Sequence, residues 1–168
     1  GELGLDYHYD YSPREAQRRV FAEQLGLAGR LGKAVVIHTR KAFGDTMAIL
    51  RDSGVEPRRC VVHCFSGNAE EAEQILAWGA WISYSGIVTF KKAGDVRAAA
   101  RITPDERLLI ETDAPFLAPE PVRKMKTNEP ANVAHTARFL AELRGVDAEV
   151  LAERTTANAA EFFGLSLP

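Results

Sequence analysis

Short unbroken runs of apolar residues alternate along the chain with longer segments whose apolar positions recur at helical spacing. "KAVVIH" (33–38), "RCVVHCF" (59–65), "AWISYSG" (80–86) and "RLLIETD" (107–113) are each built on such a run, the pattern of a strand buried on both faces. The opening "GELGLDY" reads as the end of a further strand. Helical patterns lie between. Ser12 can cap, Pro13 suits the first helical position, and Glu15 completes a capping box. Val20, Leu25, Leu27 and Leu31 follow before Gly32 stops the run. "FGDTMAILRDSG" (43–54) closes on Gly54, and "NAEEAEQILAWG" (68–79) opens on Asn68 with Glu71 at the capping-box position. "AGDVRAAARI" (93–102), Pro130 to Arg144 and Asp147 to Phe163 complete the set, the last stopped by Gly164. The stretch from Ala114 to Glu129 is Pro-rich and irregular.

Apolar strands that are each followed by a helix predict the α/β class, with a parallel sheet covered on both faces. Right-handed crossovers leave a doubly wound open sheet or a (β/α) barrel. Neither G-x-G-x-x-G nor G-x-x-x-x-G-K-[ST] occurs, so nucleotide-fold signatures give the open sheet no support. The length, 168 residues, suits one domain. A formal net charge of −2 argues against a surface coated in basic residues for nucleic acid, while a local basic site stays open. No apolar run approaches a membrane span. Cys60 and Cys64, the only cysteines, would sit about 13 Å apart on one extended segment, too far for a disulfide. They are read as reduced core thiols of a cytoplasmic protein.

The polar residues fall at strand ends. "AVVI" runs into His38, "CVV" into His63 and "LLIET" into Asp113, while Glu2 sits in "GELGLDY". In either parallel fold, ligands bind at that edge. Two imidazoles and two carboxylates there make a ligand set for a divalent cation, and the cation supplies the positive charge that a buried carboxylate requires. Taken singly, a strand-end His is more often bonded to backbone, and an Asp entering a turn makes an Asx-type bond. Four on one edge favour a site. Glu111, two residues before Asp113, is expected on the same sheet face and one layer deeper. There it would orient a ligand, an ordinary buried ion pair being the alternative. Arg40, Lys91 and Lys126 are the candidate contacts for a phosphate-bearing substrate, and Lys92 and Arg123 are read as solvated loop charge. His8, in the polar aromatic loop "DYHYDY", and His135, Trp78 and Trp81 are read as structural.

"GELGLDY", "VIHTR", "VVHCFSG", "SYSGIVTFK", "LLIETDAPFLAP" and "NEPANV" resemble the successive motifs of the TatD family of metal-dependent deoxyribonucleases, within the amidohydrolase superfamily. The similarity runs over essentially the whole chain. It implies a (β/α)8 TIM-type barrel with one or two divalent cations at its carboxyl-end mouth, Mg²⁺ first and Zn²⁺ or Mn²⁺ as alternatives. By the same resemblance Glu2 touches both metal positions, His38 and His63 are ligands of one metal, and Asp113 is the ligand that activates the attacking water. The implied activity is hydrolysis of DNA phosphodiesters, as a 3′ exonuclease on single strands or 3′ ends. No membrane and no obligate protein partner are implied. TatD-like deacylases of D-aminoacyl-tRNA are the rival reading. One feature departs from the family: no H-x-H pair is present. "GELGLDY" also begins as a strand end with no element before it. The chain is therefore expected to be an amino-truncated piece, a single hydrolase domain over 1–168 that lacks its first two βα units and keeps about the last six. On that expectation the piece alone is poorly stable and nearly inactive, or serves as a scaffold.

Overall fold

Residues 1–9 and 11–166 are described by a computed structural model of the chain. Its sheet has five parallel strands in sequential order: β1 (Leu3–Asp6), β2 (Val35–Arg40), β3 (Cys60–Val62), β4 (Trp81–Tyr84) and β5 (Leu108–Ile110). Helices α1 (Arg14–Arg30), α2 (Phe43–Asp52), α3 (Ala69–Trp78) and α4 (Gly94–Ile102) make the four crossovers, and α5 (Val133–Arg144) and α6 (Ala148–Phe163) follow β5. This is the winding of a (β/α) barrel, left open among the described residues with β1 and β5 as its edges. Five strands stand where about six βα units were expected. The sixth unit has its helix, α6, but only residues 145–147 separate α5 from α6, too few for a strand and its connections. No helix among the described residues is long and apolar enough to cross a membrane.

Strand alternation divides the buried side chains into two sets. Leu5, Val35, Ile37, Cys60, Val62, Ile82, Tyr84 and Leu108 pack against helices α1 to α5 through Phe21, Leu25, Leu50, Ile75, Ala99 and Leu140. On the opposite face Val61, Trp81 and Leu109 meet Phe162 of α6, with Val36 and Ala159 alongside. Helix α6 therefore covers the inner face of the sheet. Asn158, itself 5% exposed, fixes it there by donating to the carbonyls of Asp105 (2.6 Å) and Leu108 (2.8 Å). Cys60 is buried and free, and burial pushes its thiol up to about 12.

Helix boundaries follow local chemistry. Asn68 and Glu71 form the expected capping box. The Ser12 box does not form: α1 starts at Arg14 with Pro13 before it and no side-chain cap. Gln17 takes over, bonding the Ser12 and Asp6 carbonyls and the Asp6 N–H, which ties the turn to β1. After β4 the chain makes a 3-10 turn over Gly86–Thr89, with the Ser85 hydroxyl accepting from the Ile87 N–H. Gly86 is required there, because a Cβ would lie 2.3 Å from the Leu117 carbonyl oxygen.

Asn158→Ala strands two buried carbonyls and is expected to cost about 2–4 kcal/mol. Urea unfolding followed by circular dichroism should show the midpoint falling. An unchanged midpoint would mean that α6 is held by Phe162 packing alone.

Candidate metal centre

Two residues beyond each apolar inward residue stands a polar one. Val36 is followed by His38, Val61 by His63, Trp81 by Ser83 and Leu109 by Glu111. The period of two places them as a second layer above the first, at the strand-carboxyl edge. The backbone carries that layer past the short strands: His63 N–H donates to the Ile37 carbonyl (3.0 Å) and Glu111 N–H to the Tyr84 carbonyl (3.1 Å).

The layer is tightly bonded. His63 Nδ1 lies 3.1 Å from Glu111 Oε1, and Glu111 Oε2 accepts from the Ser83 hydroxyl at 2.6 Å. His63 Nε2 faces the Glu2 carboxylate and lies 3.3 Å from His38 Nδ1. The far nitrogen of His38, Nε2, is 3.1 Å from Asp6 Oδ2. Each imidazole thus rests one nitrogen on a carboxylate and turns the other inward. Gly4, paired with His38 in the β1–β2 register, makes the approach possible. A Cβ on it would sit 1.9 Å from the His38 carbonyl oxygen.

Asp113 enters from the loop after β5 with φ of 58°, a left-handed conformation that Asp tolerates better than most residues. Strand alternation therefore stops short of Asp113, contrary to the extended run expected over 107–113. Asn128 pins this loop, donating to the Thr112 (2.9 Å) and Phe116 (2.7 Å) carbonyls. Asp113 joins His63 and Glu111 in one group, and Glu2, His38 and His63 form another. Within each group the ligand atoms lie within 4.8 Å of one another. The four residues singled out from the sequence, with Glu111 as a fifth, thus fall into two triads that share His63. Glu111 bonds a ring instead of pairing with Lys or Arg.

Electrostatics match this crowding. Burial holds the Asp113 carboxyl above the usual range, and Glu111 and Glu2 push it further, against His63 and His38. Burial opposes charge on His63, but the hydrogen bond to Glu111 and the fields of Glu111, Glu2 and Asp113 prevail, so its pKa is raised. Asp6 is lowered although burial opposes this, because the N–H groups of Tyr9 and His8 and the His38 ring favour its charged form.

The donor set fits a divalent cation. A neutral His63 with its proton on Nδ1 toward Glu111, and a neutral His38 with its proton on Nε2 toward Asp6, aim two lone pairs and a carboxylate at one another. Such a convergence is repulsive unless a positive charge stands among the donors. Imidazole nitrogens with carboxylate oxygens suit transition metals and harder ions alike, and far nitrogens held by carboxylates are the usual support for metal-bound histidines. Asp6 and Ser83 escaped the sequence reading. The signal for each was present: Asp6 shares strand parity with Glu2, and Ser83 stands two residues after the inward Trp81.

The cationic candidates stand further out. The Arg40 guanidinium carbon is 4.8 Å from the Tyr9 ring centre. Lys91 and Lys126 are exposed, one after the 3-10 turn and the other in the loop after β5. Arg123, read as solvated loop charge, is exposed and also lies over the Phe90 ring at 3.4 Å.

A barrel-type parallel sheet carrying a histidine–carboxylate cluster at its strand-carboxyl edge defines the class. The family follows from comparison: residues 1–164 match the family described as TatD related DNase, and the chain belongs to it. It is 46% identical over 163 residues to an uncharacterized metal-dependent hydrolase, YcfH, of Escherichia coli, covering 97% of this chain and 61% of that protein. It is 38% identical over 170 residues to a Pectobacterium parmentieri protein named 3′-5′ ssDNA/RNA exonuclease TatD, covering 99% and 65%. The crystal structure of YJJV, a TatD homolog from Escherichia coli, superposes with a TM-score of 0.89 at 30% identity, covering 99% of this chain and 63% of that one. The chain thus spans between three fifths and two thirds of the length of these proteins.

Asp6→Asn keeps the shape but weakens the hold on His38. Divalent-cation affinity measured by calorimetry is expected to fall about 10–100-fold. Unchanged affinity would place His38 outside the centre.

Proposed function

We propose that the protein is a metal-dependent hydrolase that cleaves phosphodiester bonds of nucleic acid at single-stranded 3′ ends, with Mg²⁺ the first candidate cation. The observation that carries this reading is the clamping of both imidazoles, His63 by Glu111 and His38 by Asp6, so that their free nitrogens converge beside Glu2. Glu2, His38, His63 and Asp113 would hold the cation. When bound, it polarises a phosphoryl oxygen and brings the pKa of its water toward neutrality.

The remaining work falls to the chain's own groups. Asp113, grouped with His63 and Glu111, accepts the proton of the attacking water as the water oxygen bonds to phosphorus and the P–O3′ bond to the preceding nucleotide breaks, the departing 3′ oxygen taking up a proton to leave as a hydroxyl. Glu111 keeps His63 in one orientation and one tautomer throughout, supported by the Ser83 hydroxyl. Arg40 at the end of β2, with Lys91 and Lys126 on loops, offsets charge on the phosphoryl oxygens. The relative named as a single-strand exonuclease supports the substrate class.

With Mg²⁺, a 5′-labelled single-stranded oligonucleotide is expected to shorten stepwise from its 3′ end, and chelation should stop it. Asp113→Asn should cut turnover about 100-fold or more while oligonucleotide affinity changes little. Release of the amino acid from D-aminoacyl-tRNA, with no shortening of the oligonucleotide, would replace the phosphodiester by a carboxylic ester.

A further inference from the structure

The turn after β1 carries an aromatic cluster that hydrolysis alone does not use. Tyr9 and Tyr11 lie parallel, 2° between their planes and 5.2 Å between centres, and His8 meets Tyr9 edge-on at 4.9 Å. Tyr11 is 88% exposed and Tyr9 52%. Parallel rings this open to water are an unusual surface for a soluble domain, where exposed aromatic patches mark binding sites. Arg40 lies over the Tyr9 ring and has no carboxylate partner among the described residues.

The cluster is tied to the metal centre by one side chain. Asp6 accepts from the His8 N–H (2.8 Å) and the Tyr9 N–H (3.0 Å) through Oδ1, and meets His38 Nε2 through Oδ2. The Tyr7 N–H donates to the Arg40 carbonyl at 2.9 Å, joining the same turn to the end of β2 two residues past His38. A turn that only needed to connect β1 to α1 would not require two open parallel rings. Nor would it require anchoring on the carboxylate that orients a histidine of the site.

We propose that Tyr9 and Tyr11, with Arg40, form a stacking platform for the unpaired bases of a single-stranded nucleic acid whose backbone runs toward the His38–His63 cluster. Aromatic faces accept any base, and a neighbouring guanidinium meets the phosphates or extends the stack, which is how single strands are held without sequence preference. Paired bases present no free face, so the platform selects single strands. The proposal rests on the nucleic-acid reading above and specifies how that substrate is gripped.

The test is binding in EDTA, where turnover plays no part. Fluorescence anisotropy is read for oligothymidine, an abasic oligomer of equal length, and a duplex. The unaltered protein is expected to prefer oligothymidine over the abasic strand by about tenfold or more. Tyr9→Ala with Tyr11→Ala should erase that preference, and Tyr11→Trp should keep it. Equal affinity for the base-bearing and abasic strands, or an undiminished preference in the double alanine variant, overturns the platform. So does a change in oligomeric state of the variant with no change in oligonucleotide affinity, which would assign the rings to a protein contact. Failure of the hydrolase reading shows separately, as absent metal-dependent turnover of a small base-free phosphodiester by the unaltered protein.

Discussion

His63 is held at both ring nitrogens. Glu111 takes Nδ1, and Nε2 is turned toward Glu2 and His38. The ring is largely enclosed, with 11% of its side chain exposed, so neither nitrogen can exchange its partner for water cheaply. Both triads of potential ligands contain this residue. Rotating it would separate Glu2 and His38 from Glu111 and Asp113 and leave two half-sites. A proton or a metal ion can each relieve the crowding of carboxylates around it, and the fields of Glu111, Glu2 and Asp113 raise the ring's pKa.

That arrangement follows from an ordinary sheet. Val36, Val61, Trp81 and Leu109 fill the inner face beneath, capped by Phe162 of α6, and His38, His63, Ser83 and Glu111 stand one layer up. Parallel pairing keeps the layers level from β2 to β4, where Val36 pairs with Val61 and Val61 with Trp81, and shifts them by one layer at β5, where Ser83 pairs with Leu109. A slip of one residue in any strand would send its polar member into the apolar helix face. The apolar layer therefore fixes the register, and the register brings the histidines together. Gly4 contributes by what it lacks, since β1 can approach the His38 carbonyl only without a side chain there.

Much of this was legible in the chain. Unbroken apolar runs identified β2 to β5 because a strand covered on both faces has no polar alternation to obscure it, and the same runs pointed at His38, His63 and Asp113, with Glu111 two residues before the last. Asp6 was hidden because an aspartate next to two tyrosines reads as loop chemistry; its role depends on the neighbouring strand, and strand pairing is not local. The α1 start was misjudged for a similar reason. Ser12 and Glu15 satisfy the capping pattern, but Gln17 bonds across to β1, and a long-range tie outweighs a local cap. Among the described residues no strand separates α5 from α6, as the succession of two helical patterns ending at Arg144 and starting at Asp147 already implied.

The division of labour along β1 bears on what distinguishes one hydrolase of this family from another. Glu2 immediately precedes β1 and Asp6 ends it, and both meet the histidines, Glu2 at His63 and Asp6 at His38. The cation-binding chemistry they support is indifferent to the bond being cleaved, since a phosphodiester and an ester on a nucleotide both present an oxygen to polarise and an electrophilic centre to attack. Discrimination must come from groups that meet the rest of the substrate. Asp6 is where the two tasks join: its second oxygen organises the His8–Tyr9 turn. In the proposed platform, changing the residues of that turn would alter what is gripped without altering the carboxylate that bonds His38.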